Sequence, residues 1–419
     1  MTPPCLTVSR GAPDGPVALA RSSTLNQSRA DIAIIRPSPT LLTQFSGERR
    51  LSVRPLEVRE ADFDAKFDAD TLFYDAFIGI RGRIVLVGPP FLNLRPALEA
   101  ATIEAKPSGR VCSFELREMD RHGQIHVVAP DGTDALVITS PLGRVEVKVQ
   151  PSEVDVFAGR RVIFTQSRNN DLVWIQDWVR YARDIHGADA VLLYDNASTR
   201  YTPEDIADAL GAISGIAAIR IVDWPFKYGP QGLDAKRFWD SDFCQHGAWE
   251  HARRRFLEAA RSVQNADVDE LVVSADGQSV FAAAEADPFG ILRYRGRWIV
   301  GTGDPAASLA PRLRHADFDT VQREKLQRRF GVLRRDVLAC PAKWSLVPSR
   351  CPDKAQWRVH TVGHWLPALR TSAAFGYRHF REINDNWKYA RTRADRYDPA
   401  IHEVDARLKA HFARVDWTA

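Results

Sequence analysis

Hydrophobic positions along the chain follow two regimes that meet near Gly159. Upstream, the apolar runs are short and end in turn residues. Examples are Phe77-Ile78-Gly79-Ile80, Arg83-Ile84-Val85-Leu86-Val87 before Gly88-Pro89-Pro90, and Gln124-Ile125-His126-Val127-Val128 before Pro130-Asp131-Gly132. Arg144-Val145-Glu146-Val147-Lys148-Val149 alternates cleanly, as a half-buried strand does. Residues 49–157 therefore read as a small, mostly β domain. Residues 1–48 are rich in Pro, Ser, Thr and Ala with little periodicity, and read as a flexible tail.

Downstream, strand and helix patterns alternate. Arg161-Val162-Ile163-Phe164-Thr165 predicts a buried strand, and a helix follows from about Asp171 to His186, closed by Gly187. Ala190-Val191-Leu192-Leu193-Tyr194 predicts a second strand. Thr202-Pro203-Glu204-Asp205 opens a second helix with an N-cap and a proline at its first position. Ile219-Arg220-Ile221-Val222 predicts a third strand, Phe243 to Val263 one long helix, and Glu270-Leu271-Val272-Val273 a fourth strand. This order predicts an α/β domain over residues 158–395 with a parallel sheet and crossover helices. Residues 396–419 read as a C-terminal helical extension. Ligand sites in such sheets lie at the carboxyl ends of the strands, where Gln166–Asp171 and Asp195–Thr199 fall.

Composition narrows the function classes. The 419 residues, 45% hydrophobic, suffice for two domains with cores. A net charge of +4 is too small to argue for nucleic acid, whereas the arginines leave anionic substrates such as sugar nucleotides open. Five scattered cysteines without a C-x-x-C pair argue against disulfides and zinc, and for a reducing cytoplasm. No apolar run approaches the ~20 residues of a membrane span, and the first residues lack a secretion signal. The expected location is cytoplasmic, with at most peripheral membrane contact. The basic run Arg323–Phe330 with Arg334-Arg335 reads as a solvated helix face rather than a membrane or anionic-acceptor surface.

Candidate chemistry centres on Asp267-Val268-Asp269-Glu270. In a strand, Asp267 and Asp269 would share a face. Two such carboxylates repel unless a cation lies between them, and hard ions such as Mg2+ or Mn2+ suit oxygen donors. Arg168, Asn169 and Asn170 lie between a strand and a helix, as a seat for base, ribose or phosphate or as an ordinary cap. Asp195 and Asn196 follow the next strand, as hydrogen-bonding partners of a uracil or ribose or as an Asx turn. Trp174 and Trp178, with Tyr181, read as core packing.

Taken together and in order, Asn169, Asn170, Trp174, Ile175, Trp178, Tyr181, Gly187, Tyr194, Asp195, Asn196, Ser198, Tyr201, Asp267, Asp269 and Glu270 resemble the motifs of the GT-A glycosyltransferases of glycosyltransferase family 92 and their bacterial relatives. The resemblance covers roughly residues 160–390 and not the N-terminal third. Leu271 stands where Phe is usual, and Asn169-Asn170-Asp171 where Lys-Asn-Glu is commoner.

The resemblance implies a GT-A (Rossmann-like) mixed sheet with flanking helices. It implies a metal-dependent, inverting transfer of sugar from a nucleotide sugar, UDP-linked, to a glycan or lipid-linked acceptor, as in polysaccharide biosynthesis. Asp267 would face ribose and metal, and Asp269 would ligate Mn2+ or Mg2+. His379 is the preferred third ligand, with His360 the runner-up. Arg168, Asn169, Asn170, Asp195, Asn196, Gln245, Asp267 and Lys388 would hold the donor. His246 is a further candidate beside Gln245, and Arg391 would share a helix face with Lys388. The base that takes the acceptor proton stays open among Asp385, Asp276 and Asp317. Two other readings are a nucleotide-sugar hydrolase or nucleotidyltransferase, and a non-catalytic carbohydrate-binding protein. A nucleotidyltransferase would carry a Gly-rich, basic first loop that this chain lacks.

Overall fold

The computed structural model describes residue 1 and residues 30–301, 313–329, 333–383 and 397–419. The protein is α/β, built on one large mixed sheet of eleven strands. In chain order these are β1 (Asp31–Ile35), β2 (Arg161–Ser167), β3 (Ala190–Asp195), β4 (Ala218–Asp223), β5 (Ser262–Asn265), β6 (Glu270–Ser274), β7 (Ile291–Ile299), β8 (Thr320–Gln322), β9 (Cys340–Leu346), β10 (Phe375–Phe380) and β11 (His402–Val404). The helices used below are α1 (Leu172–Tyr181), α2 (Pro203–Gly211), α3 (Leu233–Phe238) and α4 (Phe243–His251).

β2, β3 and β4 are apolar runs covered on both faces, as parallel strands are. They pair in parallel, and their register sets Ser167, Asp195 and Asp223 in one row at the carboxyl end. α1 and α2 are the crossovers such neighbours need. Trp174, Trp178 and Tyr181 on α1 all pack into the core. α1 runs on through a wider turn to His186, and Gly187 closes it at φ 73°, a left-handed conformation that favours glycine. Thr202 and Asp205 form a reciprocal capping box at the start of α2.

Several elements depart from the pattern expected of the sequence, the C-terminal extension among them, where β11 precedes a helix at Ala406–Phe412. The expected tail contains β1, which lies at the sheet edge in parallel register with β4 and is tied there by an Arg220–Asp31 ion pair of 3.0 Å. The expected long helix from Phe243 stops early: α4 is extended by one wide turn to Leu257, and Ser262–Asn265 is β5, paired with β2. An apolar period fits both states over so short a run, and pairing with β2 decides between them. A further departure is β6. It is not the next parallel strand but runs antiparallel to β10, which in turn lies beside β7. Asp267 and Asp269 therefore sit in the turn between β5 and β6, not on one face of a strand.

Beyond β5 the sheet continues antiparallel through β9 and β7. The basic run forms a hairpin, Leu326–Arg329 with Leu333–Asp336, instead of a helix. Upstream of β2 lie two four-stranded antiparallel sheets. One of them, with strands Asp75–Ile78, Ile84–Gly88, Ser113–Met119 and His122–Val128, packs Phe77, Val85 and Val87 against Trp249 and Phe256. A buried polar chain crosses this contact. Arg255 Nη1 and His251 Nε2 donate to Asp75 Oδ2 at 2.6 and 3.0 Å, and the Tyr194 hydroxyl donates to His251 Nδ1 at 2.8 Å. Cys112, Cys244, Cys340 and Cys351 are buried and in no disulfide. Among the described residues, no helix is long and apolar enough to cross a membrane.

Candidate functional site

The large sheet has a switch point at β2. The chain moves outward from β2 to β3 and β4, then returns to place β5 on the opposite side of β2. The loops leaving β2 and β5 diverge there, and open α/β sheets bind ligands in such crevices. The β2 loop carries Arg168–Asp171, and the β5 loop carries Ala266–Asp269.

The β2 loop is latched to the loop after β3. Asn169 takes a left-handed φ of 56°, which Asn tolerates. Its backbone N–H donates to Ser198 Oγ at 2.8 Å, and its Oδ1 accepts the Thr199 N–H at 2.7 Å. Asn170 Nδ2 donates to Ser167 Oγ at 2.9 Å, and Tyr201 donates to the Asn170 carbonyl at 2.7 Å. Both asparagines thus shape the rim. Arg168 lies within electrostatic reach of Asp195.

Asp195 is buried, and burial raises its pKa against the Ser198 hydrogen bonds that lower it. Its carboxylate accepts the Ser198 hydroxyl at 2.5 Å and the Ser198 N–H at 3.3 Å. Asn196 is committed to the fold through its amide nitrogen alone, and its buried Oδ1 has no hydrogen-bond partner among the described residues. Its Nδ2 donates to the carbonyls of Trp224 and Phe226, each at 2.8 Å, so its amide hydrogens hold the β4 exit rather than a ligand.

The acidic turn is pinned by its backbone. Asp267 N–H donates to Glu270 Oε2 at 3.0 Å, Phe380 N–H donates to the Asp269 carbonyl at 2.9 Å, and His315 Nε2 donates to the Val268 carbonyl at 2.9 Å. Two cations meet the side chains. Lys343 Nζ lies 2.8 Å from Asp267 Oδ2 and 3.1 Å from Glu270 Oε2. His379 Nε2 lies 3.0 Å from Asp269 Oδ2, with its ring stacked 4.2 Å from Trp298.

Burial pushes Glu270 up to about 7, although Lys343 opposes the shift. Burial would lower Lys343, but Asp267 and Glu270 outweigh it and hold the ammonium above the usual lysine range. Burial likewise opposes charge on His379, and Asp269 outweighs it, raising the imidazole to about 10. His360 goes the other way: burial and then the Lys343 charge lower it to about 4, and its Nδ1 lies 3.2 Å from the Ala342 carbonyl.

The expected metal trio of Asp267, Asp269 and His379 is therefore split into an Asp267–Lys343 pair and an Asp269–His379 pair. Among the described residues, no three His, Cys, Asp or Glu side chains converge as a metal group. The donor chemistry still suits a hard divalent ion, because Mg2+ is commonly held by one or two carboxylates with substrate phosphates completing the shell. Asp267 and Asp269 fit that role, with side chains 34% and 14% exposed. His379 is the hydrogen-bond partner of Asp269 in this arrangement.

Gln245, on the first turn of α4, accepts the Tyr228 hydroxyl at 2.7 Å. Tyr228 is held far above the usual phenol range by burial, then by the charges of Asp242, Cys244 and Asp267. His246 is buried, and its Nδ1 has no hydrogen-bond partner among the described residues. Asp276 and Asp317 each accept a backbone N–H of their own turn, Gln278 at 3.1 Å and Arg314 at 2.6 Å. Lys388, Arg391 and Asp385 lie outside the described residues.

Lys343 is the residue that sequence reasoning missed. Its one signal is a lysine inside Cys340–Leu346, a run otherwise suited to a buried strand. No protein-family model matches the chain, and no curated protein matches it.

Proposed function

We propose that the protein is a metal-dependent glycosyltransferase of GT-A type that moves a sugar from a UDP-sugar to a hydroxyl of a glycan or lipid-linked acceptor, with inversion, in the cytoplasm. The observation that supports this best is the pinned Asp267-Val268-Asp269 turn at the β2/β5 switch point, with its carboxylates paired to Lys343 and His379. A divalent ion held by Asp267 and Asp269 would neutralise charge on the departing diphosphate.

The remaining work falls to the protein's own groups. Lys343 stays protonated and fixes the Asp267 carboxylate, and His379 fixes Asp269. Arg168, on the rim built by Asn169 and Asn170, faces the anionic donor beside Asp195. Asn196 would meet the donor through its Oδ1, because its amide hydrogens are spent on the chain itself.

The test is UDP release from a panel of UDP-sugars with Mn2+, with and without chelator. Asp269→Ala is expected to lower turnover at least about 100-fold, the scale of removing one group that stabilises transition-state charge. Unchanged UDP binding and turnover in that variant would sink the reading. Free sugar released at full rate without any acceptor would favour a nucleotide-sugar hydrolase.

A further inference from the structure

Just ahead of α4 lies a feature that donor binding does not use. Trp239 follows α3 directly, takes a left-handed φ of 54°, and leaves 58% of its surface exposed. A left-handed backbone conformation that bulky non-glycine residues seldom adopt is costly. The position of the indole is nevertheless fixed. The Arg121 guanidinium lies 4.8 Å from the ring centroid, and Arg121 Nη1 is also paired with Asp242 at 3.2 Å. Asp242, itself at φ 62°, accepts the N–H groups of Gln245 and His246 through its carbonyl and donates its own N–H to the Tyr228 carbonyl at 2.8 Å. Trp239 is thus three residues from the cap of the helix that carries Gln245.

Arg121 comes from the N-terminal β region, at the turn joining Ser113–Met119 to His122–Val128. That turn is stapled to the segment that leads to His360. Asp120 N–H donates to Gln356 Oε1 at 3.1 Å, Gln356 Nε2 donates to the Asp120 carbonyl at 2.8 Å, and Arg358 Nη1 lies 3.3 Å from Asp120 Oδ2. Two residues further on is His360, which feels the charges of Lys343 and Asp267. Arg121 thus ties an exposed indole to Asp120 and Asp242, and Asp120 in turn pairs with Arg358. An aromatic face packs on the C–H face of a pyranose, and planar charged groups bond its hydroxyls.

We propose that Trp239, held by Arg121 and Asp242, is the platform on which a pyranose ring of the carbohydrate acceptor stacks. Resting on the glycosyltransferase reading, this assigns a role to the N-terminal β region, which delivers Arg121 and Asp120 to the acceptor subsite. Arg121 acts here as a positioning residue for the ring.

The test uses the full chain on an array of immobilised hexose, N-acetylhexosamine and uronic acid oligosaccharides, with UDP binding measured in parallel by calorimetry. At least one oligosaccharide is expected to bind. Trp239→Ala should weaken it at least about tenfold, Trp239→Phe should restore most of the affinity, and UDP binding should not move. Binding of no oligosaccharide by the native chain, or equal binding by Trp239→Ala, overturns the proposal. Trp239-dependent oligosaccharide binding with no UDP binding would keep the subsite and remove the transferase reading instead.

Discussion

At the scale of single residues, Lys343 is the most demanding. It holds a full charge without solvent contact, between Asp267 and the wholly buried Glu270. Removing one partner of a buried ion pair leaves the other charge desolvated. Lys343→Met should therefore lower the unfolding free energy by about 3 kcal/mol in a urea titration. His186 makes the opposite demand. Its Nε2–H donates to the Val272 carbonyl at 2.9 Å, and its Nδ1 accepts the Val280 N–H at 3.2 Å, so the ring must stay neutral. Burial first, with the charges of His411 and Arg414 adding, lowers it to about 3. The unfolded value is about 6.5, so across this window the unfolded chain binds the extra proton and stability falls as pH drops. Unfolding free energies from about pH 7.5 to 4 should fall less steeply for His186→Gln, by up to about 1.4 kcal/mol per pH unit. Equal slopes for the two proteins would refute this account.

Among the elements, α4 is the hinge of the site. Its first turn carries Gln245, its middle packs on Tyr74, and its last turn joins the His251–Asp75 contact. Gly247 makes the close approach possible: a Cβ there would lie 2.5 Å from the Tyr74 ring. Gly247→Ala should cost about 1–3 kcal/mol by overpacking, despite alanine's better helix propensity, as read by thermal unfolding. α2 tests the simpler rule. Thr202→Ala removes a side-chain cap and should cost about 1 kcal/mol, without effect on UDP release.

For the molecule as a whole, the polar chain through Asp75, Arg255, His251 and Tyr194 ties the N-terminal sheets to the large sheet. Asp75 and Arg255 are both buried, so Asp75→Ala should destabilise by about 3–5 kcal/mol. Because these groups bridge the two regions, tryptophan fluorescence and far-ultraviolet circular dichroism should shift together in a urea titration. A transition that moves only one signal would show that the regions unfold separately.

Local chemistry was enough for the sequence to determine β2, β3 and β4, the glycine that closes α1 and the cap of α2. Apolar runs, Gly187, and Thr202 with Pro203 act within a few residues, where pattern and structure coincide. Tertiary structure alone decided what depends on distant partners. Strand pairing drew Asp31–Ile35 out of the expected tail and Ser262–Asn265 out of the expected helix. The antiparallel β6–β10 pair placed His379 opposite Glu270 and beside Asp269. β9, far later in the chain, brought Lys343 to Asp267. Charges that neutralise one another across such separations leave no periodic trace in the sequence, so the acids are legible there and their counter-charges are not.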